Sequence, residues 1–261
     1  MSTITHSTHA SSEQVPVRQI QFSDLLDSIS KGIDDFRAKP THLLFLAVIY
    51  PLATLGAALV MAQEGLLPVI YPVISSFFLI GPIVALGMYE FSRRRERGEN
   101  TTWRQGFNFL KSPAIGEIAV LGIMLIAVFL LWLTAAMTIY ESTIAMDHPH
   151  TVVQFVNDLL TTPAGWTMIV VGNVVGLFFA LKAFAIGVIS FPLLLDRHVS
   201  VGVAVSASIR AVVNNPLIML TWGAVIVGSL LIGAVPLLVG IAIVFPVLGH
   251  ATWHLYRKVV V

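Results

Sequence analysis

An all-α polytopic membrane bundle is the fold class this sequence predicts: six transmembrane helices, arranged as three approximate two-helix repeats with cytoplasmic amphipathic helices. Three observations carry that reading. The chain of 261 residues is 56% hydrophobic and 11% charged, with mean hydropathy +0.86, whereas a soluble domain is about a quarter charged. Six apolar stretches are long enough to cross a bilayer, which takes roughly 20 residues each. Of the 15 Lys and Arg residues, all but Lys182 fall in connections on one side of the map these stretches draw.

Taken in order, residues 1–16 are rich in Ser, Thr and His and predict a disordered tail, in which His6 and His9 have no expected role. Residues 17–261 form a single membrane domain. An amphipathic stretch from Asp24 to Pro40 leads into the spans Thr41–Gln63 and Leu66–Phe91. A second, Asn100 to Pro113, leads into Ala114–Tyr140 and Ala164–Leu195. The external connection between those two spans carries a short surface helix over Thr151–Leu160. A third, Ser200 to Pro216, leads into Pro216–Ala234 and Pro236–Tyr256. Backbone groups in lipid must be bonded within their own segment, so the spans are helices. Proline suits the first helical position because it needs no donor there, and it pushes the preceding residue out of the α region, which breaks the surface helix. The second span of each unit has an internal proline: Pro82, Pro192 and Pro246. The repeat units are therefore about 24–91, 100–197 and 200–258, and their prolines are expected to bend or loosen the helices at similar depth.

Charge orients the bundle. Arg18, Lys31, Arg37 and Lys39 precede the first span, Arg93 to Arg97, Arg104 and Lys111 follow the second, Arg197 and Arg210 follow the fourth, and Arg257 and Lys258 end the chain. The opposite connections carry only Glu64, Glu141, Asp147 and Asp158. The positive-inside rule then places both termini in the cytoplasm, and the Arg93–Arg97 cluster reads as an anchor for anionic headgroups. A net charge of +1 gives no field for nucleic acid, and the absence of cysteine removes disulfides and thiolate metal sites. No secretory signal peptide is expected, since the first forty residues are polar. Trp103, Trp166 and Trp253 suit interfacial belts.

Three runs resemble the DUF2189 family of bacterial integral membrane proteins, whose function is not established. They are Leu79-Ile-Gly-Pro-Ile-Val-Ala-Leu-Gly-Met-Tyr-Glu90, Ser190-Phe-Pro-Leu-Leu-Leu-Asp-Arg197 and Pro246-Val-Leu-Gly-His-Ala-Thr-Trp-His-Leu-Tyr-Arg257. The resemblance covers roughly residues 17–258, with the C-terminal run its most specific part. It implies a bacterial inner-membrane location. A loose association of some members with cytochrome c oxidases points towards respiratory assembly. No catalytic residues carry over.

Two groups of polar residues are candidates for chemistry. Lys182 is the one basic residue inside a span, where a charge costs roughly 2.5–3.5 kcal/mol. It reads either as a substrate or proton site or as a lysine that packs its stem and snorkels, and it is expected to face protein or water. Gly172, Gly176 and Ala180 on the same helix form a small-residue stripe for close helix approach. His250 and His254, at i and i+4, share a helix face. Glu90 and His254 each lie eight residues after a repeat proline, and Asp196 and His250 each lie four after one. If the units are equivalent, Glu90, Asp196, Arg197, His250 and His254 form one cytoplasmic polar cluster, which either locks the hairpins together or responds to pH near neutrality.

No nucleophile elbow, phosphate loop, HExxH or paired-carboxylate pattern is present. The expected function is a non-enzymatic inner-membrane protein with a structural, assembly or interaction role. Its expected partners are the lipid bilayer and other membrane proteins, with no nucleic acid, metal or cofactor. Two alternatives remain: a small-solute or ion transporter using Lys182 or the polar cluster, and an accessory of a respiratory oxidase that binds haem or metal through His250 and His254.

Overall fold

The computed structural model describes residues 14–38, 54–59, 81–99, 102–144, 151–235 and 240–261. Among them the fold is helical, and the only β feature is an isolated antiparallel bridge between Val17 and Val260. The elements are α1 (Phe22–Ala38), α2 (Leu86–Glu96), a 3-10 helix (Trp103–Lys111), α3 (Ile115–Glu141), α4 (Val152–Thr161), α5 (Pro163–Gly187), α6 (Ser190–Arg197), α7 (Val201–Asn214), α8 (Pro216–Ala234) and α9 (Ile241–Val259).

Of the prolines expected to open spans, Pro216 does so at the first turn of α8, Pro113 stands two residues before α3, and Pro40 lies outside the described residues; Pro163 also opens a helix, α5. Thr162 accepts a hydrogen bond from the Gly165 backbone N–H at 2.9 Å, and Thr151 caps α4 by accepting from Gln154 N–H at 3.2 Å. These side chains satisfy donors that a helix leaves open at its start. The internal prolines behave unequally. The apolar run Pro163–Arg197 breaks into α5 and α6 at Val188 and Ile189, where the Val188 carbonyl has no Pro192 N–H to receive. The Ile189 N–H donates instead to Ser208 Oγ of α7 at 3.2 Å. Residues 81–84 are helical and a turn at Ala85 separates them from α2. In α9 the helix runs uninterrupted through Pro246. The three prolines therefore stand in different settings, with an interruption beside Pro82 and before Pro192 and none at Pro246.

Among the described residues, three stretches are long and apolar enough to cross a membrane: α3, the Pro163–Arg197 run, and α8. The expected spans Thr41–Gln63 and Leu66–Phe91 lie mostly outside the described residues, as do His6, His9 and the tail through residue 13. Of residues 14–16, assigned to that tail by composition, Val15 is buried and its carbonyl accepts from Arg210, while Gln14 and Pro16 are exposed. α9 is helical where the sixth span was expected. However, its stretch from Leu248 to Tyr256 is buried on every side and holds Gly249, His250, Thr252 and His254.

α9 is the centre of the end where the termini meet. α1 lies along it, with α2 and α8 on other sides. The inward face of α1 is Leu25, Ser28, Gly32 and Asp35, one stripe at helical spacing. Gly32 sets the distance: a Cβ there would sit 2.7 Å from the Ala251 nitrogen and 2.8 Å from the Val247 carbonyl oxygen. Beyond α1, Arg18 N–H donates to the Val259 carbonyl at 3.0 Å, and Asn215 Oδ1 accepts from Ile20 N–H at 2.8 Å. Both chain ends and the start of α8 thus share one level.

Candidate functional site: a buried polar network where the termini meet

Asp35 is the hub. It sits on the buried stripe of α1, and its carboxylate takes donors from two other helices. Oδ2 accepts from Ser92 Oγ of α2 at 2.5 Å and from His254 Nε2 of α9 at 2.8 Å. Oδ1 accepts from Arg95 of α2 at 2.7 Å. Ser92 Oγ also lies 2.8 Å from His250 Nδ1. The hydroxyl has one proton, and an ionised carboxylate can only accept. Ser92 therefore donates to Asp35, and His250 Nδ1 donates to Ser92. The other ring nitrogen of His254, Nδ1, is 3.5 Å from Glu96 Oε1.

Burial alone would raise the Asp35 pKa. The hydrogen bonds from His254 and Ser92 outweigh it and hold the carboxyl below the ordinary carboxylate range. Glu96 follows the same pattern, lowered by His254 and by the Arg257 charge against the opposing effect of burial.

A second set adjoins the first. Asp196, at the end of α6, accepts from Tyr256 Oη at 2.7 Å and pairs with Arg257 at 3.4 Å and Arg97 at 4.0 Å. Arg257 also reaches Glu96 at 3.4 Å, so it joins the two sets. At the margin, Asp27 pairs with Lys31 at 2.9 Å and Lys258 at 2.8 Å, and those hydrogen bonds pull its carboxyl down to about 2.

The expected cluster is therefore assembled in part. His250, His254 and Asp196 lie at one end of the bundle, where α2, α6 and α9 pack together. Glu90 is corrected: it is buried, but its partners are Arg93 at 2.5 Å and Arg94 at 2.7 Å, both on its own helix, and it pairs with neither histidine. Arg197 is exposed and joins no ion pair among the described residues. The arginine cluster faces inward more than headgroup anchoring requires. Arg93 donates to the Leu195 carbonyl at 2.7 Å, Arg94 also pairs with Glu99, and Arg95 holds Asp35.

Asp35, Ser92, Arg95 and Glu96 were not singled out from the sequence. The available signal was the stripe Leu25, Ser28, Gly32, Asp35, which puts a carboxylate on the apolar face of an amphipathic helix. Three of the four ring nitrogens of His250 and His254 already have partners, and no group of three or more ligand-type residues among those described is arranged to hold a metal.

Lys182 lies elsewhere. Its side chain is exposed, with Nζ 4.2 Å above the Phe178 ring, on the same helix as the exposed Val174. It was expected to face protein or water; its side chain is exposed. On the inner side of the same helix a cavity of about 560 Å³ is lined by Pro82, Trp132, Asn173, Phe184, Leu230 and Phe245, among others. Lys182 does not reach it. Gly176 of the small-residue stripe receives the Trp132 indole of α3, where a Cβ would approach within 3.2 Å. Of the expected interfacial tryptophans, Trp166 is exposed and Trp253 is fully buried.

Residues 70–196 match a protein-family model described as predicted integral membrane protein, DUF2189. The matched stretch, which is similar to that family, is a little under half of the chain. The matched segment includes α2, α3, α5 and α6, and so contributes Ser92, Arg95, Glu96 and Asp196 to the network. α1 and α9, with Asp35, His250 and His254, lie outside it, as does the C-terminal run that carried the resemblance most specifically. No curated protein and no solved structure matches the chain.

Proposed function

We propose that this protein is a non-enzymatic integral protein of the bacterial inner membrane with an assembly or interaction role, with both termini in the cytoplasm. The observation that carries the proposal is the closure of the polar network. Asp35 takes donors from α2 and α9, and Asp196 binds α6 to α9, so the polar residues in the strongest candidate site are spent on holding helices together. A transport path or a catalytic centre would need some of them aimed at a ligand. The basic residues that flank this end support its cytoplasmic placement.

The three-unit repeat belongs to the same reading. α7 packs on α5 and α6, the 3-10 helix packs on α2, and α1 packs on α9. Each amphipathic segment then rests on the second span of the unit before it, and α1 closes the ring onto the last. Such a ring has an outer surface made of spans and an end made of surface helices, a form suited to contact with other membrane proteins.

The apolar cavity beside α5 favours a second reading, transport. Its lining suits an apolar solute rather than an ion. Purification from native membranes in mild detergent separates these readings. A stoichiometric protein partner with no visible-band absorbance supports the first. Uptake of an apolar dye into vesicles, lost when the cavity is filled by Ala224→Phe, supports the second. A stoichiometric haem band would overturn both.

A further inference from the structure

The short helix α4 joins α3 to α5 at the end of the bundle opposite the chain termini, and its surface divides into three sectors. At about 100° per residue, Phe155 and Leu159 fall on one side. Both are half-buried, and the Phe155 ring packs 6.3 Å from Tyr140 of α3. Gln154, Asn157 and Thr161 fall on a second side and are exposed and polar. Val153, Val156 and Leu160 fall between, and they are exposed and apolar, at 79%, 44% and 54%. A soluble surface helix has two sectors, one to the core and one to water. A third, apolar and uncovered, calls for an apolar medium.

The helix is held in place from its other side. A Cβ at Gly165 would lie 2.3 Å from the Asp158 carbonyl oxygen and 2.4 Å from that of Leu159, so the end of α4 rests directly on the start of α5. Thr162 donates its hydroxyl to the Asp158 carbonyl at 2.6 Å, which braces the corner. The apolar sector also continues onto an exposed apolar face of α5. Trp166 donates its indole N–H to the Leu160 carbonyl at 3.1 Å, and from Trp166 the exposed face of α5 runs through Val170 and Val174.

We propose that α4 is an interfacial anchor, lying in the plane of the membrane with Val153, Val156 and Leu160 in the acyl boundary of the leaflet away from the termini. Its occupant is the lipid surface. Trp166 marks the same level, with its ring apolar and its N–H satisfied, as tryptophans in interfacial belts do. The lipid it fits is zwitterionic rather than anionic, because Asp158 is the only charged residue in the helix. The contact fixes the depth of the α3–α5 hairpin from outside, while the polar network fixes it from the other end.

The absence of cysteine makes the test clean. Single cysteines at Val153, Leu160 and Asn157 carry a spin label in the full chain, reconstituted into phosphatidylethanolamine and phosphatidylcholine vesicles. Collision rates with oxygen, which concentrates in acyl chains, and with a water-soluble nickel chelate report depth. The expected result is an oxygen-to-nickel ratio several-fold higher at 153 and 160 than at 157, unchanged when a third of the lipid is made anionic. Equal ratios at the three sites would overturn the proposal. So would labels at 153 and 160 shielded from both reagents, since a protein, or a second copy of the chain, would then cover the sector. A rise in the ratio with anionic lipid would overturn the charge argument. All three sites are exposed, and an unchanged melting temperature confirms that each labelled chain is folded.

Discussion

Replacing Asp35 with Ala removes the hub and leaves its donors behind. Ser92 and His254 are both buried, so two polar groups lose their shared acceptor in a place water does not reach. Hydrogen bonds to a charged group contribute about 1.5–3 kcal/mol each. Breaking a buried pair by removing one partner costs about 3–5 kcal/mol. The Arg95 bond adds less, because that side chain is 42% exposed and its charge is screened. The expected total is about 3–5 kcal/mol, which for a chain of this size lowers the melting temperature by roughly 10 °C. Asp35→Asn keeps the shape and one acceptor oxygen and should lose about half as much. Thermal unfolding of the purified protein in mild detergent measures both. Trypsin adds a local readout: with α1 released, cleavage at Lys31 should accelerate in Asp35→Ala well below its melting temperature. A melting point within 1 °C of wild type, with Lys31 still protected, would refute the argument that this carboxylate holds α1 in place.

Gly32→Ala should destabilise by about 1–3 kcal/mol through overpacking, since its Cβ would meet the backbone of α9; a neutral result in the same assay would mean that α1 does not rest on Ala251. His254→Ala and Asp35→Ala should be non-additive, with a coupling of about 1–3 kcal/mol between partners in direct contact; additive losses would place them in separate networks. Acid should unlock the same contacts. Asp35 and Glu96 have folded pKa values below the ordinary range, so their contribution is complete above the unfolded value near 4 and is lost as pH falls through the folded one. Melting temperature should fall steeply from about pH 4.5 downward, and Asp35→Ala should flatten part of that slope; parallel curves for the two proteins would contradict it.

Much of the architecture was legible from prolines and hydropathy. Pro216 marks a helix start where the sequence places it, and the short helix expected at Thr151–Leu160 appears as Val152–Thr161. The candidate site was half legible. His250, His254 and Asp196 stood out as polar residues near the ends of apolar stretches. Their hub did not, because Asp35 is 219 residues from His254 and sits on a helix that composition assigns to the membrane surface. Glu90 shows why counting from repeat prolines misleads. The helix from Pro246 to His254 is continuous, whereas the turn at Ala85 interrupts the path from Pro82 to Glu90. Arg93 and Arg94, about one turn along the same helix, take the Glu90 carboxylate, and an offset counted from a proline says nothing of such local partners. Lys182 was expected to face protein or water from its insertion cost; its side chain is exposed, with Nζ over the Phe178 ring.

The account depends most on the two ends of the chain meeting, with α1 laid along α9, and one cross-link tests this directly. Val17 and Val260 face each other in an antiparallel bridge, a geometry whose Cα separation of about 4.5–5.5 Å suits a disulfide. The double variant Val17→Cys, Val260→Cys, in a chain with no other cysteine, is oxidised in isolated native membranes. A fast intramolecular disulfide, visible as a band of altered mobility restored by reductant, is the predicted result. No intramolecular product, with both thiols still open to modification, would place the termini apart and remove the basis for the network.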